Sequence, residues 1–257
     1  MFYRVDYTMA LLLGGILIGL LFGRSTESIT ASSLGRRYYV TIAALLVLRT
    51  GLFICTILMS PHSFLTSIGG IVGDLSGLLF GVLFGLAARR KDARELLTSP
   101  SILGAICMAL AFSFALAGIG KAFSMAPMTD FFTQSGYSVT FLKFIIIAET
   151  LAGIGLLLPW AVVPTLIGLT IDMFGAVLTH IHNGDPLNDS TGAIGALIRL
   201  FAVGVLWTLS RQRGTSSTAV RNSILSVTTV AVVCLLIAIG GSAAMRHLGS
   251  AATHLSK

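Results

Sequence analysis

The chain has 257 residues, of which 55% are hydrophobic and 11% are charged, and its net charge is +7. Soluble domains carry roughly 25% charged residues, so this sequence has too little polar material to cover a water-exposed surface. Its basic residues stand in short groups between apolar segments, a placement that indicates a membrane protein and argues against a nucleic-acid-binding face.

Eight apolar runs are long enough to cross a membrane as helices, which takes about 20 residues with a range of about 17–25. They are residues 7–23, 38–59, 65–88, 102–120, 140–158, 161–181, 191–210 and 222–245. Run 1 could be mistaken for a signal peptide, but it lacks an A-x-A-like cleavage site. The sequence therefore predicts an all-α, polytopic transmembrane helix bundle with about eight spans.

Basic residues between the runs are divided unequally between the two sides of the predicted membrane. The connections after runs 1, 3 and 7 carry ten of them: Arg24, Arg36, Arg37, Arg89, Arg90, Lys91, Arg94, Arg211, Arg213 and Arg221. The opposite side carries five: Arg4, Lys121, Lys143, Arg246 and Lys257. The positive-inside rule assigns the richer side to the cytoplasm. We therefore expect a multi-pass protein of the bacterial cytoplasmic membrane with both termini on the non-cytoplasmic side.

Glycines recur every fourth residue in two of the runs. Run 3 carries the longer stripe: Gly69, Gly73, Gly77, Gly81 and Gly85. Run 1 carries the shorter one: Gly15, Gly19 and Gly23. Small residues at this spacing allow helix backbones to approach closely in lipid. We interpret the stripes as packing surfaces rather than a pore lining, with helices 1 and 3 as candidate partners.

Five ionisable residues fall near the middle of predicted helices, where a charge is costly and therefore marks a candidate functional site. They are Arg49, Asp74, Glu149, Asp172 and Arg199. Arg49 and Asp74 form a candidate structural ion pair between runs 2 and 3. Arg199 is a candidate partner for Glu149 or Asp172. Because two carboxyl groups then share one cation, either Lys121 at the end of run 4 contributes or one carboxyl is protonated.

Two interpretations of these charges remain open from the residues alone. In the first they are ion pairs that fix helix packing and do nothing else. In the second they line a polar pocket in the second half of the bundle, which would hold a small polar headgroup, a quinone or a proton.

Histidines and cysteines do not form a recognisable cofactor site. His180 and His182 lie two residues apart at the end of run 6 and point about 200° apart, whereas a b-type haem needs two facing histidines from different helices. The three cysteines stand singly in apolar runs without a CxxC pair. We predict no metal and no haem, and no cofactor is predicted; a quinone or lipid stays an open alternative as the ligand of a pocket.

The stretch from about 104 to 210 resembles the DoxX family. The resemblance is carried by AFSFALAGIGKAF at 111–123, AETLAGIGLLLP at 148–159 and GAVLTHIHNGDP at 175–186, with the Gly136-Tyr137 pair between them. It implies a four-helix membrane unit in helices 4–7. By position, the family's lysine, glutamate and loop aspartate correspond to Lys121, Glu149 and Asp185.

DoxX-like proteins are often associated with membrane redox systems, and the family takes its name from a subunit of thiosulfate:quinone oxidoreductase. The resemblance therefore implies an accessory or structural subunit of a membrane redox or respiratory assembly, with no catalytic set of its own. Its partners would be membrane lipids and other membrane subunits. We predict no nucleic-acid partner. The alternative is a proton-coupled small-solute transporter that uses mid-membrane carboxylates.

These expectations divide the chain into an N-terminal membrane region at 1–100, the DoxX-like unit at 101–213, and a C-terminal helix and tail at 214–257. The candidate pocket combines the central charges with polar groups at the helix ends. Its residues are Lys121, Glu149, Asp172, Arg199, His180 and Asp185.

Overall fold

A computed structural model describes residues 4–23, 26, 28–58, 64–212 and 217–255. These residues form ten helices and no strands. The helices are α1 Arg4–Phe22, α2 Ala31–Leu58, α3 Phe64–Arg89, α4 Ala93–Leu97, α5 Pro100–Phe123, α6 Met125–Gln134, α7 Val139–Leu156, α8 Val162–Asn183, α9 Leu187–Arg211 and α10 Ser217–Leu255. Side chains are described for 11–23, 26, 28–52, 54–55, 77–212 and 218–249.

Each of the eight predicted runs coincides with one of these helices, and α4 and α6 are additional short helices. A helix satisfies its own backbone hydrogen bonds, which is why apolar runs adopt it in lipid. Polar residues and glycines mark the helix ends: Ser138 accepts a hydrogen bond from the Phe141 amide at the start of α7, and Gly184 ends α8 in the left-handed conformation at φ 72°.

Five described helices are long and apolar enough to span a bilayer: α5, α7, α8, α9 and residues 218–249 of α10. Within the part of the chain searched, α1 and α3 contribute the shorter apolar stretches Leu11–Phe22 and Gly77–Arg89. The outer surfaces of the long helices are apolar, as the exposure of Leu151 at 60% and Leu236 at 62% shows. The prediction of an all-α polytopic membrane bundle is confirmed, and the count of eight spans stays a prediction.

The chain divides into two compact units, residues 1–109 and 110–257. In the first unit, α1 packs closely against α3 through glycines. A Cβ built on Gly15 or Gly19 would overlap the backbone of α3, and one on Gly81 or Gly85 would overlap the backbone of α1. These positions therefore require the absence of a side chain, because the two helix backbones are in contact there.

Arg90, at the end of α3, is buried and fixes the α1–α2 connection of the first unit. Its guanidinium donates to the carbonyl oxygens of Thr26 at 2.5 Å and Ile29 at 2.7 Å. It also donates two 2.7 Å hydrogen bonds to the Asp92 carboxylate. These bonds hold the pKa of the Asp92 carboxyl below its usual value of 3.8.

In the second unit, α8 packs against α7, α9 and α10. Its buried face carries Leu166, Leu169 and Met173. The facing core residues are apolar as well, for example Val203 on α9 and Cys234 on α10. The packing of α10 against α8 and α9 makes the last helix part of this unit. The three-part division at residues 100 and 213 stays a prediction.

Candidate functional site

The centre of the candidate site is an ion pair between Lys121, in the last turn of α5, and Glu149, in the middle of α7. The Lys121 ammonium donates to Glu149 Oε1 at 2.5 Å and also contacts Oε2. The Glu149 side chain is only 3% exposed, whereas that of Lys121 is 26% exposed. The carboxylate is therefore enclosed, and the lysine is the more exposed partner of the pair.

Small residues bring α5 and α7 close enough for this pair to form. A Cβ on Gly118 would overlap Thr150 Oγ1, and one on Gly153 would lie 2.8 Å from the Cβ of Ala115. The Thr150 hydroxyl donates to the Ile146 carbonyl at 2.8 Å, so it is satisfied within its own helix. The close approach lets a lysine reach the carboxylate of a facing helix across a short gap.

Asp172, in the middle of α8, is the third member of the cluster. Its carboxyl lies beside the Glu149 carboxyl and within electrostatic range of the Lys121 ammonium. Its Oδ2 atom is buried and has no hydrogen-bond partner among the described residues. The structure thus gathers two carboxyl groups and one ammonium group inside a unit whose surface is apolar.

Arg199, on α9, donates from Nε to the Gly195 carbonyl of the preceding turn at 3.0 Å. This bond directs part of its guanidinium along its own helix. Its predicted role as counter-ion to Glu149 or Asp172 stays a prediction, while Lys121 occupies that place for Glu149.

His180 and Asp185 contact each other, eight or more residues beyond Asp172. His180 Nδ1 lies 2.8 Å from Asp185 Oδ2. The left-handed Gly184 turns the chain back between them, and the Phe131 ring of α6 lies 5.5 Å from the His180 ring. At about 1.5 Å per helical residue, His180 is about 12 Å along α8 from Asp172, so this contact forms a second polar site.

A third polar group, which lies outside the predicted pocket residues, surrounds Tyr137. The Thr179 hydroxyl donates to the Gly175 carbonyl at 2.8 Å, so the Tyr137 hydroxyl, 2.9 Å away, donates to Thr179. Arg246 Nη1 in turn donates to the Tyr137 oxygen at 3.3 Å. The Gly136-Tyr137 pair was a signal for this group, but Arg246 is 109 residues away and no local pattern connects the two.

The predicted pair of Arg49 and Asp74 lies partly outside the described side chains. Arg49 is half-buried on α2, whereas the side chain of Asp74, like Gly69 and Gly73 of the glycine stripe, falls in the part of α3 whose side chains are not described. The interpretation of this pair as structural stays a prediction.

Metal-ligating side chains do not gather in groups of three or more within the described part of the chain. Cys107 and Cys234 are buried as free thiols, and Cys55 is exposed. In the second unit, Lys121, Glu149 and Asp172 bring together an ammonium and two carboxyl groups that can form hydrogen bonds.

Comparison with known protein families gives a match to the DoxX-like family over residues 105–205. Comparisons with curated proteins and with solved structures give no match. The matched residues run from α5 to α9 and include Lys121, Glu149 and Asp172, together with Tyr137 and the His180–Asp185 contact. This part of the chain, and with it the candidate site, is similar to the DoxX-like family.

Proposed function

We propose that the protein is an accessory subunit of a membrane-bound redox assembly, whose DoxX-like unit holds the polar head of a quinone at Lys121, Glu149 and Asp172. The observation that carries the proposal is the enclosed cluster of two carboxyl groups and one ammonium. The distribution of basic residues supports a location in a bacterial cytoplasmic membrane, with both termini on the non-cytoplasmic side.

The charges of the cluster explain why a quinone suits it. Two ionised carboxylates side by side in an apolar unit repel each other, which is costly. A proton held between the two carboxyl groups would remove that repulsion. A protonated carboxyl and an ammonium are both hydrogen-bond donors, and the carbonyl oxygens of a quinone are acceptors. Lys121 is partly exposed, so its ammonium is a donor that an incoming head can reach.

The shape of the unit favours a ligand that arrives through the lipid. The connections α7–α8 and α8–α9 are only residues 157–161 and 184–186. From α7 to α9, the groups available for chemistry are therefore within or at the ends of helices. The apolar outer surface, with Ile147 at 57% exposure on α7, is compatible with the apolar tail of a quinone lying alongside.

Binding of a short-chain ubiquinone analogue to the purified protein tests the ligand. Lys121→Met removes the exposed donor and should weaken binding about tenfold or more, because a hydrogen bond to a charged group contributes about 1.5–3 kcal/mol. Asp189→Asn, at an exposed carboxyl in the first turn of α9, is the matched control and should bind as the wild type does. Unchanged binding by Lys121→Met, or an equal loss with Asp189→Asn, would reject the quinone site.

Co-purification in mild detergent tests the assembly separately. An accessory subunit should migrate with an oxidoreductase or an electron carrier of the same membrane. A protein that migrates alone would reject the accessory role and would leave the quinone measurement to stand by itself.

The second candidate is a proton-coupled small-solute transporter. The observation that favours it is the Asp172 carboxyl beside Glu149, whose Oδ2 atom is buried. Intramembrane carboxyls of this kind are typical of proton relays. Glu149→Gln and Asp172→Asn should then each abolish proton or solute flux in liposomes. Flux that is unchanged in both variants would eliminate the transporter.

A further inference from the structure

A cleft of about 400 Å³ lies within the second unit, between α8, α9 and α10. Its walls are almost entirely apolar; they include Phe174 of α8, Leu197 and Trp207 of α9, and Ala231 of α10. Three further lining residues, Ile198, Phe201 and Val230, are 52%, 37% and 44% exposed. The cleft therefore opens on the apolar surface of the unit, where lipid surrounds a membrane protein.

The length of the cleft matches one leaflet of a bilayer. Its lining runs from Val163 to Phe174 on α8 and from Leu197 to Thr208 on α9. At 1.5 Å per residue each stretch covers about 16 Å, and half of a hydrocarbon core about 30 Å thick is about 15 Å. Because α8 begins at Val162 and α9 ends at Arg211, the cleft extends from the middle of these helices to one end of the bundle.

That end of the bundle is positively charged. Arg211 is exposed in the last turn of α9, and its guanidinium lies 5.3 Å from the centre of the Trp207 ring that forms the cleft wall. Arg221, in the first turns of α10, is exposed at the same end. Residues 157–163 and 205–226 contain no acidic residue. An anion at the mouth of the cleft would therefore meet cations only.

We propose that the cleft binds one acyl chain of an anionic phospholipid, with the phosphate of the headgroup at Arg211. The apolar walls accept the chain, and the exposed guanidinium provides the selectivity for a negative headgroup. Trp207 stands at the depth where amphipathic rings usually lie in a membrane, between the chain and the headgroup. This site is separate from the Lys121 cluster and does not depend on the function of that cluster.

Tryptophan fluorescence offers a direct test, because the chain has two tryptophans and only Trp207 lines the cleft. Trp160→Phe leaves Trp207 as the single reporter. The protein is placed in vesicles of phosphatidylglycerol and phosphatidylcholine, with bromine on the acyl chains of only one of the two lipids. The two lipids are present at equal mole fractions. Brominated phosphatidylglycerol should quench the Trp207 fluorescence as strongly as if its concentration beside Trp207 were about fivefold higher than in the bulk bilayer, which is the preference expected from one arginine near the surface.

Three variants of the Trp160→Phe protein separate the cleft from general surface charge. Arg211→Gln removes the cation beside the Trp207 ring and should abolish the preference for phosphatidylglycerol. Arg221→Gln, a loss of the same charge on α10, should retain it. Ala231→Phe should reduce the preference by filling the cleft while Arg211 stays in place. If Ala231→Phe lowers the melting temperature, Ser226→Leu fills the cleft from a more exposed position.

Equal quenching by both brominated lipids in the Trp160→Phe protein would overturn the proposal. So would an equal loss of preference in the two arginine variants, because that result would assign the effect to the charge of the whole surface. A full preference in both cleft-filling variants would place the lipid outside the cleft and would overturn it as well.

Discussion

Lys121 is the residue on which the charge of the candidate site depends. It is the ammonium that contacts Glu149, and it lies within electrostatic range of Asp172. Without it, two neighbouring carboxyl groups have to be accommodated at one enclosed site. Without Glu149, by contrast, Asp172 remains available as a counter-ion for the lysine. The two halves of the ion pair are therefore not equivalent, although each contributes one unit of charge.

This difference predicts the stability of single variants. Lys121→Met should lower the free energy of unfolding by about 3 kcal/mol, the lower end of the cost of breaking a buried pair, because the lysine is partly exposed. Glu149→Gln should lower the free energy of unfolding by less than Lys121→Met does, because Asp172 can still act as a counter-ion for the lysine. Denaturant titration in detergent micelles measures both, and Lys143→Met, at an exposed lysine in the first turns of α7, should stay within about 0.5 kcal/mol of the wild type. A larger loss for Glu149→Gln than for Lys121→Met would contradict the asymmetry.

Asp92 allows a prediction about pH, because its carboxylate lies outside the predicted spans. The hydrogen bonds from Arg90 lower its pKa in the folded protein. A lowered pKa contributes stability that is fully present above the unfolded value, near 3.8, and is lost as the pH falls through the folded value. Asp92→Asn should therefore lower the melting temperature by roughly 3–6 °C at neutral pH.

The effect of Asp92→Asn should shrink as the pH falls through the folded pKa of Asp92, because below that pKa the wild-type carboxyl is protonated as well. Melting curves followed by fluorescence from neutral pH into this acid range would show the two proteins converging. Glu95→Gln, at an exposed acid on α4, is the matched control. A melting difference that persists unchanged at the low pH would show that Asp92 acts through packing rather than through its charge.

At the level of the helices, a glycine within a stripe can be compared with a glycine outside it. A Cβ on Gly85 of α3 would overlap the Ile16 carbonyl and lie 2.9 Å from the Cα of Gly19. A Cβ on Gly14 of α1 would meet nothing within 4 Å. The helix backbone must therefore move to accommodate one methyl group but not the other.

We expect Gly85→Ala to lower the free energy of unfolding by about 1–3 kcal/mol, the usual cost of overpacking. Gly14→Ala should be neutral or slightly stabilising, since alanine is the better helix former. Thermal unfolding in the same detergent would compare them. Equal effects of the two substitutions would mean that the α1–α3 contact does not depend on the absence of a side chain at Gly85.

Hydropathy predicts the long helices well, because a run of about 20 apolar residues has few alternatives to a membrane helix. It does not predict α6, whose ten residues include Asp130 and Gln134 and form no apolar run. Charge likewise placed Lys121, Glu149 and Asp172 in one candidate pocket, since ions in lipid need partners. The same pocket was predicted to include Arg199, His180 and Asp185, and the sequence did not separate these from the first three. Charge could not identify the contact between Tyr137 and Arg246, because the two residues are 109 positions apart in the sequence.

For the whole chain, α10 shows how a helix outside the family match belongs to the same packed unit. The match ends at residue 205, yet α10 packs against α8 and α9 and its Arg246 reaches Tyr137. A Cβ on Gly249 would overlap the Gly136 carbonyl, so the chain also makes close backbone contact there. Apolar helices resemble each other in composition, and only the contacts reveal which neighbours α10 has.

The length of α10 makes it the best element on which to test the orientation of the protein. Its 39 residues extend over about 58 Å, well beyond a hydrocarbon core of about 30 Å. Arg211, Arg213 and Arg221 flank its start, and the basic side of the chain is the side predicted to be cytoplasmic. The end of α10 should then lie on the opposite side of the membrane.

Reporter fusions in a bacterial host check this orientation at both ends of α10. Alkaline phosphatase fused after Lys257 should be active and green fluorescent protein at the same point should be dark, because each reporter works on only one side of the membrane. Fusions after Gln212, before α10, should give the reverse pattern. The same reporter active at both points would mean that α10 does not cross the membrane, and an exchanged pattern would mean that the excess of ten basic residues over five does not set the topology.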